Sequence, residues 1–125
     1  MTTGQALLLL VDDEARILSA LQRTLRREGH AIATAETAAE ALAVLEDRDV
    51  ALVLSDYKMP GASGAELLAT VRRRSPGTRR VLLSGWSREI PEEELAAAAP
   101  HAVHAKPWDD EGLRASIREL LREAS

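Results

Sequence analysis

The chain has 125 residues, 46% of them apolar, with a formal net charge of -4 and a pI of about 5.4. That length suits one domain around one core, and the acidic balance argues against a nucleic-acid surface, which carries a basic excess. Cysteine is absent, so disulfides and thiolate metal sites are excluded, in keeping with a reducing, cytoplasmic setting. The opening MTTGQALLLLVDDE has no basic leading segment and ends its apolar run in two acids, unlike a signal peptide. No stretch approaches the roughly 20 apolar residues of a membrane span.

Taken in chain order, the pattern alternates. Ala6–Val11 reads as a strand, and Glu14–Glu28 as a helix with Ile17, Leu18, Leu21 and Leu25 on one face, stopped by Gly29. His30–Ala35 is a weak second strand, because alanine forms strands poorly. Thr37 caps the next helix, with Glu40 completing a capping box and Ala38, Ala41, Leu42 and Leu45 turned inward. Val50–Ser55 is the third strand. A loop from Asp56 to Ser63 leads to a helix over Gly64–Arg74, with Leu67, Leu68 and Val71 inward. After the Ser75-Pro76-Gly77 turn come a strand, Arg80–Ser84, and a loop, Gly85–Ile90. The fourth helix is confined between Pro91 and Pro100. His101–Ala105 is the fifth strand, and Asp109 or Asp110 opens the last helix, striped by Leu113, Ile117, Leu120 and Leu121. Five strand–helix units in succession predict an α/β fold, a doubly wound parallel sheet with helices on both faces. No repeat or linker divides the chain, so residues 1–125 read as one domain with its core over 6–121. The reading leaves open whether it is a complete small protein or one domain of a longer one.

The chemistry sits where apolar runs end. Asp12 and Asp13 follow LLLLV, Asp56 follows ALVLS, and Lys106-Pro107 follow HAVHA. Uninterrupted apolar runs read as buried parallel strands, whose carboxyl ends gather ligands. Carboxylates about 5 Å apart repel by about 3 kcal/mol at an effective dielectric of 20, so a cluster of them calls for a cation. Hard oxygen donors suit Mg²⁺ (or Mn²⁺). Lys106 adds a positive charge worth about 4 kcal/mol at 4 Å. Ser84 offers a hydroxyl, and Gly85 leaves room beside it. This is the equipment for holding a divalent cation and a phosphoryl group.

At these residues the chain resembles the receiver domain of two-component response regulators. VDDE, SDYKMPGASG, LLSG and AKPW match that family in order and spacing, over nearly the whole length from Ala6 to Leu121. The resemblance implies a flavodoxin-like, CheY-like fold of strand order 2-1-3-4-5. It implies a signalling module that catalyses only its own phosphorylation and dephosphorylation: Asp56 takes a phosphoryl group from a histidine kinase or phosphotransfer protein. It further implies that Asp13, Asp56 and the backbone carbonyl of Lys58 hold Mg²⁺, with Asp12 acting through water. Ser84 is then the switch hydroxyl and Lys106 the phosphoryl clamp, and Pro107 shapes the loop, often through a cis bond. Lys58 and Trp86, each two residues past a site residue, flank the phosphoryl group, and their bulk leads to an expectation of slow self-dephosphorylation. The output passes to a downstream effector, through the surface of the fourth helix, fifth strand and fifth helix, where a homodimer is also common. One departure bears on that switch: the family's usual aromatic three residues before the lysine is Val103 here, whose side chain is stiff. Trp108 is the alternative aromatic on that side.

Rival readings attach to each residue. Either Asp12 or Asp13 alone reads equally as a helix cap, and Asp56 as a turn residue. Arginines 72–74, 79 and 80 read as a solvated face and turn, and His101 and His104 as structural. A docking module working without phosphorylation keeps the same fold. An aspartyl phosphatase places its nucleophile in a D-x-D run, which Asp12-Asp13-Glu14-Ala15 does not supply, and a flavodoxin needs a phosphate loop that is absent here.

Overall fold

The computed structural model describes residues 6–85 and 90–124. Five strands and five helices alternate: β1 (Leu7–Val11), α1 (Ala15–Arg26), β2 (Ala31–Ala35), α2 (Ala38–Asp47), β3 (Leu52–Asp56), α3 (Gly64–Arg74), β4 (Arg79–Ser84), α4 (Glu92–Ala98), β5 (Ala102–Ala105) and α5 (Asp110–Ala124). All strand pairings are parallel, in the order β2-β1-β3-β4-β5, which is the doubly wound, flavodoxin-like arrangement. The chain reverses direction across the sheet between β1 and β3, and the carboxyl ends of those strands face the crevice this creates.

The LLLLV run is wholly buried because both faces of β1 are covered. Leu7, Leu9 and Val11 join one core with Leu67, Leu68 and Val71 of α3. Leu8 and Leu10 point the other way, against Leu18, Leu21 and Leu25 of α1 and Leu113 and Ile117 of α5. An alternating strand with a core on each side must be apolar throughout, which is why the pattern was legible as a strand of this kind.

The helix ends carry local chemistry. Gly29 adopts φ +81° just beyond α1, as a stop at glycine requires. Thr37 accepts a hydrogen bond from the Glu40 amide, but the Glu40 carboxylate takes the Glu36 amide rather than that of Thr37, so the expected box is displaced by one residue. A complete box stands instead at α3, between Ser63 and Glu66. The Asp109 carboxylate accepts from the Gly112 amide and opens α5.

Two expectations are corrected. The fifth strand is not buried: Val103 and Ala105 are exposed, while Ala102 and His104 are half-buried. β5 closes the sheet with a single neighbour, β4. Val103 pairs with Leu82 and shares its face, but α4 has seven residues and leaves Val103 42% exposed. The arginines are not simply solvated. Arg80 is buried, and its guanidinium donates to the carbonyls of Ala98 (3.0 Å) and Ala99 (3.0 Å). Arg72 reaches the carbonyls of Ala96 and Ala97, and Arg79 that of Leu120. A long side chain with an apolar stem can cross a surface and satisfy helix-end carbonyls, so charge alone does not make it solvated. His101 is structural as expected, since its Nδ1 accepts the Arg80 amide at 3.0 Å. Among the described residues no helix is long and apolar enough to cross a membrane.

Candidate functional site

Parallel pairing puts the strand ends level. Val11 lies opposite Ser55, Asp56 opposite Leu83, and Ser84 opposite Ala105. The residues that follow these positions therefore emerge along one edge, although they are distant in sequence. Asp12, Asp13 and Asp56 each offer a carboxylate oxygen, and these oxygens lie within 4.8 Å of one another. Lys106 Nζ donates to Asp12 Oδ2 at 2.9 Å and stands 3.2 Å from Asp56 Oδ1. A cavity of about 380 Å³ opens over them, lined among others by Asp13, Asp56, Lys58, Ser84, Gly85 and Lys106.

The acids are not equivalent. Asp12 is fully buried, and each of its oxygens has a partner: Oδ1 accepts the Glu14 amide at 2.9 Å, Oδ2 the lysine. The cap reading of Asp12 is not met: Glu14 is the N-cap of α1, and Asp12 only closes a turn onto its amide while serving the cluster. Asp13 is exposed at the mouth of the cavity. Asp56 is nearly buried at the end of β3. Burial pushes its carboxyl above the ordinary aspartate range, the Asp12 charge adds to this, and the Lys106 ammonium opposes it. Burial pulls Lys106 down, but its hydrogen bond to Asp12 and the attraction of Asp56 and Asp12 outweigh that and hold the ammonium above the usual lysine range. A carboxylate held at the expense of its own charge, next to two others, is a group that gains from a cation. Three hard carboxylates at this separation fit Mg²⁺, with room left for water and a phosphoryl oxygen.

Ser84 is buried at the end of β4, and its carbonyl accepts the Lys106 amide at 3.1 Å. The Lys106-Pro107 peptide is cis. Lys58 lines the cavity, whereas Trp86 lies outside the described residues. Val103 is exposed on the edge strand and is not among the residues that line the cavity. Trp108 donates its indole N–H to Asp110 at 2.9 Å, against Thr24 of α1, and so is tied to the α1–α5 side.

Other residues of the site's surroundings gave no sequence signal. The Tyr57 hydroxyl donates to Glu94 Oε1 at 3.0 Å, and the Ser63 hydroxyl to the same oxygen at 3.3 Å. Gly64 packs against the backbone of Asp56 so closely that a Cβ there would collide with its carbonyl oxygen. Tyr57, Ser63 and Gly64 all stand within SDYKMPGASG, but that run carried no sign of these contacts.

Known proteins are similar to this chain in sequence and fold. Over 124 residues the chain is 36% identical to the hydrogenase transcriptional regulatory protein HoxA of Cupriavidus necator, covering 97% of this chain and 25% of HoxA. Its fold is similar to a CheY-like response regulator receiver domain protein from Methanospirillum hungatei (TM-score 0.88, 31% identity, 97% of each chain). It is also similar to the response regulator TrrA of Thermotoga maritima in complex with Mg(2+)-BeF (TM-score 0.85, 29% identity, 93% of this chain and 99% of that one). The response regulator receiver domain model matches residues 8–118, and the chain belongs to that family.

Proposed function

We propose that this chain takes a phosphoryl group onto Asp56 from a histidine kinase or phosphotransfer protein and passes the change to an effector. What supports the reading is the convergence of Asp13, Asp56 and Lys106 from three strand ends onto one cavity, with Asp12 buried beneath them in the same cluster. In the reaction, an Asp56 carboxylate oxygen attacks the phosphorus of a phosphohistidine. The P–O bond forms as the P–N bond breaks, leaving an acyl phosphate, and the departing imidazole takes up a proton. Bound Mg²⁺ supplies neutralisation of the charge on the transferring oxygens. Asp13, Asp56 and the Lys58 carbonyl are the residues that would hold it, with Asp12 behind them. Lys106 gives the incoming phosphoryl oxygens an ammonium already poised between two carboxylates, and the Ser84 hydroxyl gives them a donor. The chain then acts as a signalling module rather than as an enzyme on an outside substrate. The chain spans a quarter of the length of HoxA.

The test is incubation with acetyl phosphate, with and without Mg²⁺, followed by intact mass. The expected result is a gain of one phosphoryl mass that needs Mg²⁺ and is abolished by Asp56→Asn. No gain with Mg²⁺ present would leave a docking module that never sees phosphate.

A further inference from the structure

Tyr57 stands between Asp56 and Lys58, the two residues proposed to meet the phosphoryl group and its cation. Its backbone is held on both sides. The Tyr57 amide donates to the Leu83 carbonyl at 2.8 Å, one residue before Ser84, and its carbonyl accepts the Gly64 amide at 2.8 Å. The phenol hydroxyl bonds Glu94 in the first turn of α4. The Ser63 hydroxyl, at the start of α3, closes on the same carboxylate oxygen. This hydroxyl donates to a charged acceptor at 3.0 Å, and the contact is partly buried. Any rearrangement of Asp56 and Lys58 moves the residue between them, and that residue grips α4. The far end of α4 is fixed independently by Arg80 and Arg72. A shift at its first turn is therefore a pivot about an anchored end.

We propose that Tyr57 is a positioning residue that couples the state of Asp56 to α4 through its hydrogen bond to Glu94. The inference rests on the reading of Asp56 as the phosphoacceptor. Coupling is reciprocal: if occupation of the site changes the grip on α4, then loosening the grip changes the affinity of the site.

The full chain, with Tyr57→Phe, Glu94→Ala and the double variant, is titrated with beryllofluoride at saturating Mg²⁺. Hydrogen exchange of the α4 amides is followed in parallel. Each single variant should shift the beryllofluoride affinity by about fivefold or more, the double variant should shift it no further, and the α4 exchange response seen in the wild type should be lost. A lower Tm in the variants with wild-type affinity and a wild-type α4 response would mean a merely structural bond and overturn the proposal. A wild-type chain that itself binds no beryllofluoride would overturn the phosphoacceptor reading and this inference with it; a wild type that binds, with variants that behave identically, overturns the inference alone.

Discussion

A methyl group at position 64 would strike the Asp56 carbonyl oxygen and lie 2.9 Å from both the Asp56 carbonyl carbon and Ser55 Oγ. The first turn of α3 thus rests directly on the backbone of the proposed phosphoacceptor, and hydrogen is the only side chain that fits. Gly64→Ala gains up to about 1 kcal/mol of helix propensity, less in a first turn, but the obstruction is backbone and has no soft way to yield. The expected outcome is a net loss of about 1–3 kcal/mol in urea unfolding, together with slower phosphorylation by acetyl phosphate. Full activity with unchanged stability would show that the loop gives way freely. At this scale the carboxylates and the lysine were legible, because each follows directly on a strand the apolar pattern identifies. The Tyr57–Glu94 bond was not: it spans 37 positions between a loop and a helix, and neither residue belongs to a periodic pattern.

The element that departs from expectation is β5, the exposed edge strand that follows a short α4. Proline at each side predicted a short helix, and it runs for seven residues, Glu92–Ala98. So short a helix has little propensity of its own and depends on its ends. Glu92, Glu93 and Glu94 complement the dipole in its first turn. At the other end the carbonyls of Ala96, Ala97, Ala98 and Ala99 all accept from Arg72 or Arg80. Burial, with the nearby charges of Arg72 and Arg79, lowers the Arg80 pKa, yet a guanidinium remains charged at any working pH. Arg80→Met keeps much of the stem and removes the donors from buried carbonyls. It should cost about 2–3 kcal/mol and speed exchange of the α4 amides more than those of α1 or α5. Equal exchange in all three helices would remove Arg80 from this role. Composition made these arginines look solvated, since which carbonyl a five-donor head meets depends on which helix packs beside it.

At the scale of the whole molecule, folding forces like charges together. Asp12 and Asp56 are both buried and share one ammonium, with Asp13 at the rim. A ligand that binds only this folded cluster stabilises the fold by mass action, by about 2.7 kcal/mol at a hundredfold excess over its Kd. Thermal unfolding should therefore shift upward on adding Mg²⁺ and return on chelation, and Asp13→Asn should abolish most of the shift. An Asp13→Asn protein stabilised by Mg²⁺ as fully as the wild type would place the cation elsewhere.

The strands, the doubly wound class, the helix stripes and the positions of the acids and the lysine were determined by local order in the sequence. Burial on both faces demands an uninterrupted apolar run, and the loop after such a run must surface at the sheet edge. What only the tertiary structure decided is which remote polar groups meet: Arg80 at the end of α4, Tyr57 at its beginning, and Val103 left bare on an edge strand. Apolar burial follows a period that a single element carries by itself. A hydrogen bond between elements follows a distance of a few ångströms, which exists only once the elements have packed.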